Sequence, residues 1–210
     1  MTRLWDISQP LRPGLPVWPG DTPFGVERTW QLAGDCPVNV SKITFSTHSG
    51  AHADAPFHYD PAGKTAEAMD LTRYLGPCRV IDARHAQGRV ARADIAAVLD
   101  DLPPRVLFRT FARFDLDAWP EAFTTLEADL VEALADLGVV LVGVDAPSID
   151  PETSKDLPAH NAVRRRGLSI LEGLVLDDVP FGDYELIALP LPLVGQDASP
   201  VRAVLREMAR

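Results

Sequence analysis

Two cysteines, Cys36 and Cys78, are too few for a disulfide framework, and neither belongs to a C-x-x-C pair. Two reduced thiols are expected. Long hydrophobic runs are missing as well. Nothing approaches the roughly 18 uninterrupted apolar residues of a membrane span, and the opening MTRLWDISQPLRPGLPVWPGD holds no continuous apolar leader. A cytoplasmic location is therefore expected. Positive charge is in deficit: 20 Lys and Arg stand against 30 Asp and Glu, a formal charge of −10. That balance excludes a phosphate-reading nucleic-acid surface and disfavours an anionic membrane. It leaves room for a small anionic substrate, because the local potential at a bound cation can oppose the global one. Internal repeats, low-complexity tracts and linkers are also absent, so residues 1–210 are expected to form one domain, long enough to bury a core without staples.

What is present is ordinary in bulk, with 46% hydrophobic and 24% charged residues. Prolines are numerous, 19 in all, and lie among apolar runs, which points to shaped loops rather than disorder. Short strands are expected at 3–8, 24–32, 39–47, 78–83, 105–110, 139–145, 184–190 and 201–207. In 39–47 the apolar residues alternate imperfectly, which predicts a bulge or burial on both faces. Helices are expected at 92–102, with Ile95, Val98, Leu99 and Leu102 on one face, and at 124–138. The second has Thr124 and Glu127 as a capping box, Leu130, Leu134 and Leu137 toward the core, and Gly138 at its end. A helical turn or two is expected at 160–167. A dominant sheet with two or three real helices is an α/β or α+β fold.

The chemistry concentrates in one stretch, HSGAHADAPFHY, from His48 to Tyr59, which holds three of the five histidines and Asp54. On an unbroken strand His48 and His52 would lie about 13 Å apart, whereas Zn–N bonds are only about 2 Å. Two imidazoles reach one ion only if the chain folds up between them. Gly50 permits sharp backbone angles and Pro56 stops a helix. The expectation is a strand ending near Thr47, then a compact turn gathering His48, His52 and Asp54, with His58 leaving its far side. Neutral imidazole and carboxylate suit a borderline divalent ion such as zinc, and a carboxylate has two oxygens with which to bridge two ions. A histidine outside the ligand set can move protons. One turn cannot supply the ligands for two ions. His160, after a proline at a helix start, and Glu172, inside the apolar run LSILEGLVL, are the downstream candidates. Glu172 is either a turn residue facing water or a buried group with a cationic partner. Asp145 and Asp150 either orient a ligand histidine or cap local structure. Arg164–Arg166 read as a solvated basic helix face, with attraction of a substrate carboxylate the alternative, and His85 as a loop histidine.

HSGAHADAPFH resembles the His-x-Gly-Thr-His-x-Asp-x-Pro-x-His signature of the cyclase-like metal-dependent hydrolases. Ala51 replaces the usual Thr, a departure that is similar to the bacterial kynurenine formamidase branch. LWDISQPL, PVWPGDTPF, GVDAPSIDP, LPAHNAV, ILEGLVLDDVPFGDYELIALPLPL and DASPVRAVL extend the resemblance over most of the chain. It implies a swivelling β/β/α fold around a barrel-like mixed sheet, usually dimeric. It also implies two divalent ions, zinc or alternatively manganese. His48, His52 and Asp54 would bind the first; Asp54 and Glu172 would bridge to the second, which His160 also binds. His58 would be the general acid/base, and Trp18 would line the substrate pocket. The implied reaction is hydrolysis of N-formyl-L-kynurenine to L-kynurenine and formate. An isatin-type or other cyclic or aryl amide hydrolase, and a non-catalytic metal-binding module, are the alternatives.

Overall fold

The computed structural model describes residues 2–208. In chain order the strands are β1 Leu4–Asp6, β2 Gly25–Trp30, β3 Val40–Thr44, β4 His52–Asp54, β5 Leu75–Asp82, β6 Arg89–Val90, β7 Arg105–Arg109, β8 Thr125–Leu126, β9 Leu141–Val144, β10 Ser169–Glu172, β11 Gly182–Ile187, β12 Ala198–Pro200 and β13 Val204–Glu207. The α-helices among the described residues are α1 Ala128–Asp136 and α2 Pro158–Arg166. Nine strands form one curled mixed sheet in the order β1-β13-β11-β5-β7-β9-β10-β4-β12, the barrel-like arrangement the resemblance implied. No helix is long and apolar enough to cross a membrane among the described residues.

Strand period explains why the centre of this sheet is apolar on both faces. The run β5-β7-β9-β10 is parallel, and parallel strands are normally covered on both sides. Val106, Phe108, Val142, Val144 and Ile170 face the cluster that also takes Leu130, Val131 and Leu134 of α1 and Ala159, Ala162 and Val163 of α2. Their neighbours Leu107, Leu141 and Leu171 face the opposite cluster with Tyr74, Cys78, Leu174 and Leu205. Each fully buried side chain of this size contributes roughly 1.5–3 kcal/mol.

Several local expectations change. The capping box does not form, because Thr125–Leu126 leave as strand β8 and helix α1 begins only after Glu127. Leu137 is 45% exposed, because the helix ends one residue before it. Gly138 follows with φ +87°, a conformation cheap only for glycine. Residues 92–98 wind as a 3-10 helix rather than an α-helix, and Val98 is exposed. Strand β3 ends at Thr44, and neither of its faces is buried. The register irregularity lies instead in its partner β2, between Arg28 and Trp30.

Candidate metal centre

The site is assembled by register. In the antiparallel pairing of β10 with β4, Glu172 stands opposite His52 and Ile170 opposite Asp54. Directly opposed residues share a face. His52, Asp54 and Glu172 therefore project on the side of Ile170, which α2 covers, while Ala53 and Leu171 project on the other. So His52 and Asp54 belong to a short strand next to the sheet edge, not to the turn expected from the sequence. The turn precedes them. Gly50 and Gly173 both adopt left-handed φ, +66° and +64°. A Cβ on Gly173 would lie 2.5 Å from the Gly50 carbonyl oxygen, so only glycine allows this crossing. The fold-back brings the His48 and His52 rings to 4.9 Å between centroids.

Helix α2 supplies His160. Its start is satisfied from outside: the Asp150 carboxylate accepts the backbone N–H of Ala159 at 3.0 Å and of His160 at 2.9 Å. The same carboxylate meets His160 Nδ1 at 2.7 Å, so Nδ1 donates and Nε2 faces the centre. His52 Nδ1 donates to the Gly50 carbonyl at 2.9 Å, which aims its Nε2 inward as well. Glu172 Oε1 accepts the N–H of Ile149 at 2.8 Å. Leu157, just before α2, is held at φ +43°, a strained position for a branched side chain at the edge of the site.

The inward atoms then meet. His52 Nε2 lies 3.4 Å from both Asp54 Oδ1 and Glu172 Oε2. His160 Nε2 lies 3.4 Å from Asp54 Oδ2 and 3.7 Å from Glu172 Oε1. His48 Nδ1 is 3.2 Å from Asp54 Oδ1. A ring nitrogen of His58 falls within 4.8 Å of ligand atoms of Asp54 and His160. His52 Nε2, His160 Nε2 and both Asp54 oxygens are buried without a hydrogen-bond partner. Orphaned buried polar atoms of this kind cost about 1–3 kcal/mol each, so their convergence calls for a cation. Two ligand atoms each about 2.1 Å from one ion at a tetrahedral angle stand about 3.4 Å apart, which matches these separations. The electrostatics agree. Burial alone would lower the histidine pKa values, yet Asp54 with Glu172 lifts His52 to about 10, and Asp150 with Asp54 lifts His160 to about 10. Burial would raise Asp54, but the histidines around it hold its carboxyl well below the usual range. The donor set, imidazole nitrogens and carboxylate oxygens, fits a divalent ion.

Above this floor lies a cavity of about 310 Å³. Trp18 and Trp119 form part of its wall, edge to face, with centroids 5.6 Å apart. Arg12 ties the Trp18 loop to the opposite one, donating to the Leu116 carbonyl at 3.0 Å and pairing with Asp117. Trp119 was not singled out from the sequence, although Trp18-Pro19 and Trp119-Pro120 are its two Trp-Pro dipeptides. Asp197, which meets His48 Nε2 at 3.1 Å, opens the stretch DASPVRAVL but was given no role from the sequence. Asp150 orients His160 as described. Asp145 instead accepts from Thr110 N, Thr110 Oγ1 and Phe111 N, and so holds a loop rather than a histidine. Arg164 pairs with Asp60, and Arg165 and Arg166 with Glu132. None of these arginines lines the cavity. The exposed His85 meets the Asp94 carbonyl.

The model of the family described as putative cyclase matches residues 5–151. The chain belongs to the cyclase family. Among members with assigned activities, a kynurenine formamidase from Maricaulis maris (strain MCS10) is 55% identical over 208 residues, covering 99% of this chain and all of that one. A solved cyclase-family structure, a potential metal-dependent hydrolase with cyclase activity, is 34% identical and superposes with a TM-score of 0.85 over the whole of both chains. Isatin hydrolase A from Labrenzia aggregata shares the fold at 23% identity, with a TM-score of 0.85 over 99% of this chain and 94% of its own.

Proposed function

We propose that this chain is a kynurenine formamidase, a metal-dependent hydrolase that converts N-formyl-L-kynurenine to L-kynurenine and formate. The observation that carries the reading is the 55% identity, end to end, with a kynurenine formamidase. The orphaned donor set beneath an aromatic cavity supports it chemically. Isatin hydrolases share the fold, but at 23% identity that likeness does not extend to substrate.

The roles follow from position. His48, His52 and Asp54 would hold one ion, and Asp54, Glu172 and His160 a second. Zinc is the expected metal at both, with manganese the alternative, given nitrogen and oxygen donors. Divalent ions in such a site supply Lewis acidity to a carbonyl oxygen and lower the pKa of bound water. The protein does the rest. The aryl ring of the substrate packs in the cavity against Trp18 and Trp119, whose geometry suits edge and face contacts. That places the formyl group toward the floor. His58, with a side chain 34% exposed, faces the reacting atoms from one side. It accepts the proton given up by the attacking water. It returns that proton to the anilide nitrogen as the C–N bond breaks, so the amine leaves neutral together with formic acid, which ionises to formate by releasing its proton to solvent. A homodimeric, cytoplasmic enzyme of one domain, residues 1–210, completes the proposal.

Formate release from formylkynurenine by purified protein tests it, with metal analysis before and after chelation and isatin as the competing substrate. Turnover that vanishes on chelation and returns with zinc or manganese is expected. Faster turnover of isatin than of formylkynurenine would replace this assignment with the isatin-type one.

A further inference from the structure

His58 needs a defined tautomer for its work, and the group that can define it is Asp197. Asp197 immediately precedes β12, the edge strand that pairs Ala198 with Asp54. Its carbonyl accepts the N–H of Ala55 at 2.9 Å, which docks it beside the segment leading to His58. Thr47 Oγ1 donates to Asp197 Oδ1 at 2.9 Å and fixes the carboxylate plane. The other oxygen, Oδ2, lies 3.1 Å from His48 Nε2 and 3.6 Å from His58 Nδ1. One carboxylate oxygen thus serves two rings whose centroids are 4.3 Å apart.

We propose that Asp197 is a positioning residue for the hydrolysis, holding Nδ1–H of His58 and Nε2–H of His48 so that His58 Nε2 and His48 Nδ1 turn their lone pairs to the centre. The inference rests on His58 being the acid/base. A neutral imidazole carries one N–H and one lone pair, and the hydrogen bond made by one nitrogen decides the role of the other. To take a proton from water, His58 must offer a bare Nε2, which requires its hydrogen on Nδ1. Asp197 Oδ2 is the acceptor on that side. At 3.6 Å the contact is electrostatic rather than a formed hydrogen bond, and such contacts tighten when substrate fills a site. For His48 the hydrogen bond is already made. With Nδ1 bare it faces Asp54 Oδ1, acceptor to acceptor, at 3.2 Å, an arrangement that a metal cation or a proton on Nδ1 relieves. Asp197 therefore couples one metal-facing ring to the proton-transferring ring.

The test uses Asp197→Ala and Asp197→Asn, alone and with His58→Ala, assayed at saturating zinc with metal content measured. Asp197→Ala should lower kcat roughly 10- to 100-fold, the size expected for a group that orients a functional ring and smaller than the loss of the acid–base group itself, with KM changed less than about twofold. Asp197→Asn keeps an acceptor oxygen and should recover most of that loss. In the His58→Ala background, compared at equal metal content, Asp197→Ala should cost little further, because the contact with His48 bears on metal occupancy and the remaining effect passes through His58. Ring ¹⁵N shifts of metal-free protein should show His58 as the Nδ1–H tautomer in the unmodified chain and a mixture in Asp197→Ala. An equal loss in both backgrounds, or an unchanged tautomer, overturns the positioning role while leaving His58 its own. Full turnover by His58→Ala overturns the acid–base reading underneath, and the inference with it.

Discussion

The floor and the wall of the cavity are built by different means. On the floor, His52, Asp54 and Glu172 stand on paired strands, and His160 on a helix whose start is tied to Asp150. All four are at most 3% exposed. On the wall, Trp18 and Trp119 come from irregular loops, the first of them rich in proline, held across by Arg12. A floor set by strand register cannot shift one side chain without shifting the ladder. A wall of loops can change its residues at little cost to the core. Under the proposed function, the chemistry belongs to the floor and substrate choice to the wall.

The largest effect should come from breaking the floor. On the proposed ligand set, Glu172→Gln or His160→Ala removes a ligand, so metal content and turnover should both fall, turnover by about 10³-fold or more. Elemental analysis beside kinetics checks this. Retained metal with unimpaired turnover would return Glu172 to the status of a packing residue. His58→Ala should cost roughly 10²- to 10⁴-fold in turnover and leave metal content near normal, since His58 stands at the boundary between the two regions. Loss of metal in that variant would move His58 into the floor.

On the wall, Trp119→Ala should act mainly on KM, by about 3- to 10-fold, in line with the roughly 0.5–1.5 kcal/mol of an aromatic contact. A kcat-only effect would contradict a binding role. The smallest and broadest effect concerns pH. In metal-free protein His52 and His160 have pKa values raised to about 10, above the unfolded value near 6.5. A raised folded-state pKa contributes stability that is complete below the unfolded value and is lost as pH rises toward 10. The melting temperature of chelated protein should therefore fall between about pH 6.5 and 10. Loaded protein should lack this decline, because its imidazoles bind the ion unprotonated. Parallel curves would show that the floor does not exchange protons for metal.

Much of the centre was legible because its donor types are rare and local. Three histidines and Asp54 within eleven residues had few competing explanations, and the distance argument required the fold-back that Gly50 provides. The partners of that cluster were harder to place. Glu172 looked equally like a turn residue, since only the pairing of β10 with β4 reveals that it faces His52. That pairing joins positions more than a hundred residues apart, and β4 and β12 are three residues long, too short for a periodic signal. For the same reason the expected turn at His52–Asp54 proved to be strand. The apolar strands at 105–110 and 139–145 were visible as continuous hydrophobic runs, as parallel strands buried on both faces should be. The capping box at Thr124 was misleading because β8 claims Thr125 and Leu126 before the helix can start. Asp197 was hidden by its chemistry: one carboxylate among 30 acidic residues carries no mark of the two histidines it meets.

The measurement closest to the central claim is anomalous X-ray diffraction from crystals of catalytically active protein, collected on either side of the zinc edge. Two peaks are expected flanking the Asp54 carboxylate, one toward His48 and His52 and the other toward His160 and Glu172. Fully active crystals with no anomalous density there, at the zinc edge or at that of manganese, would contradict that claim.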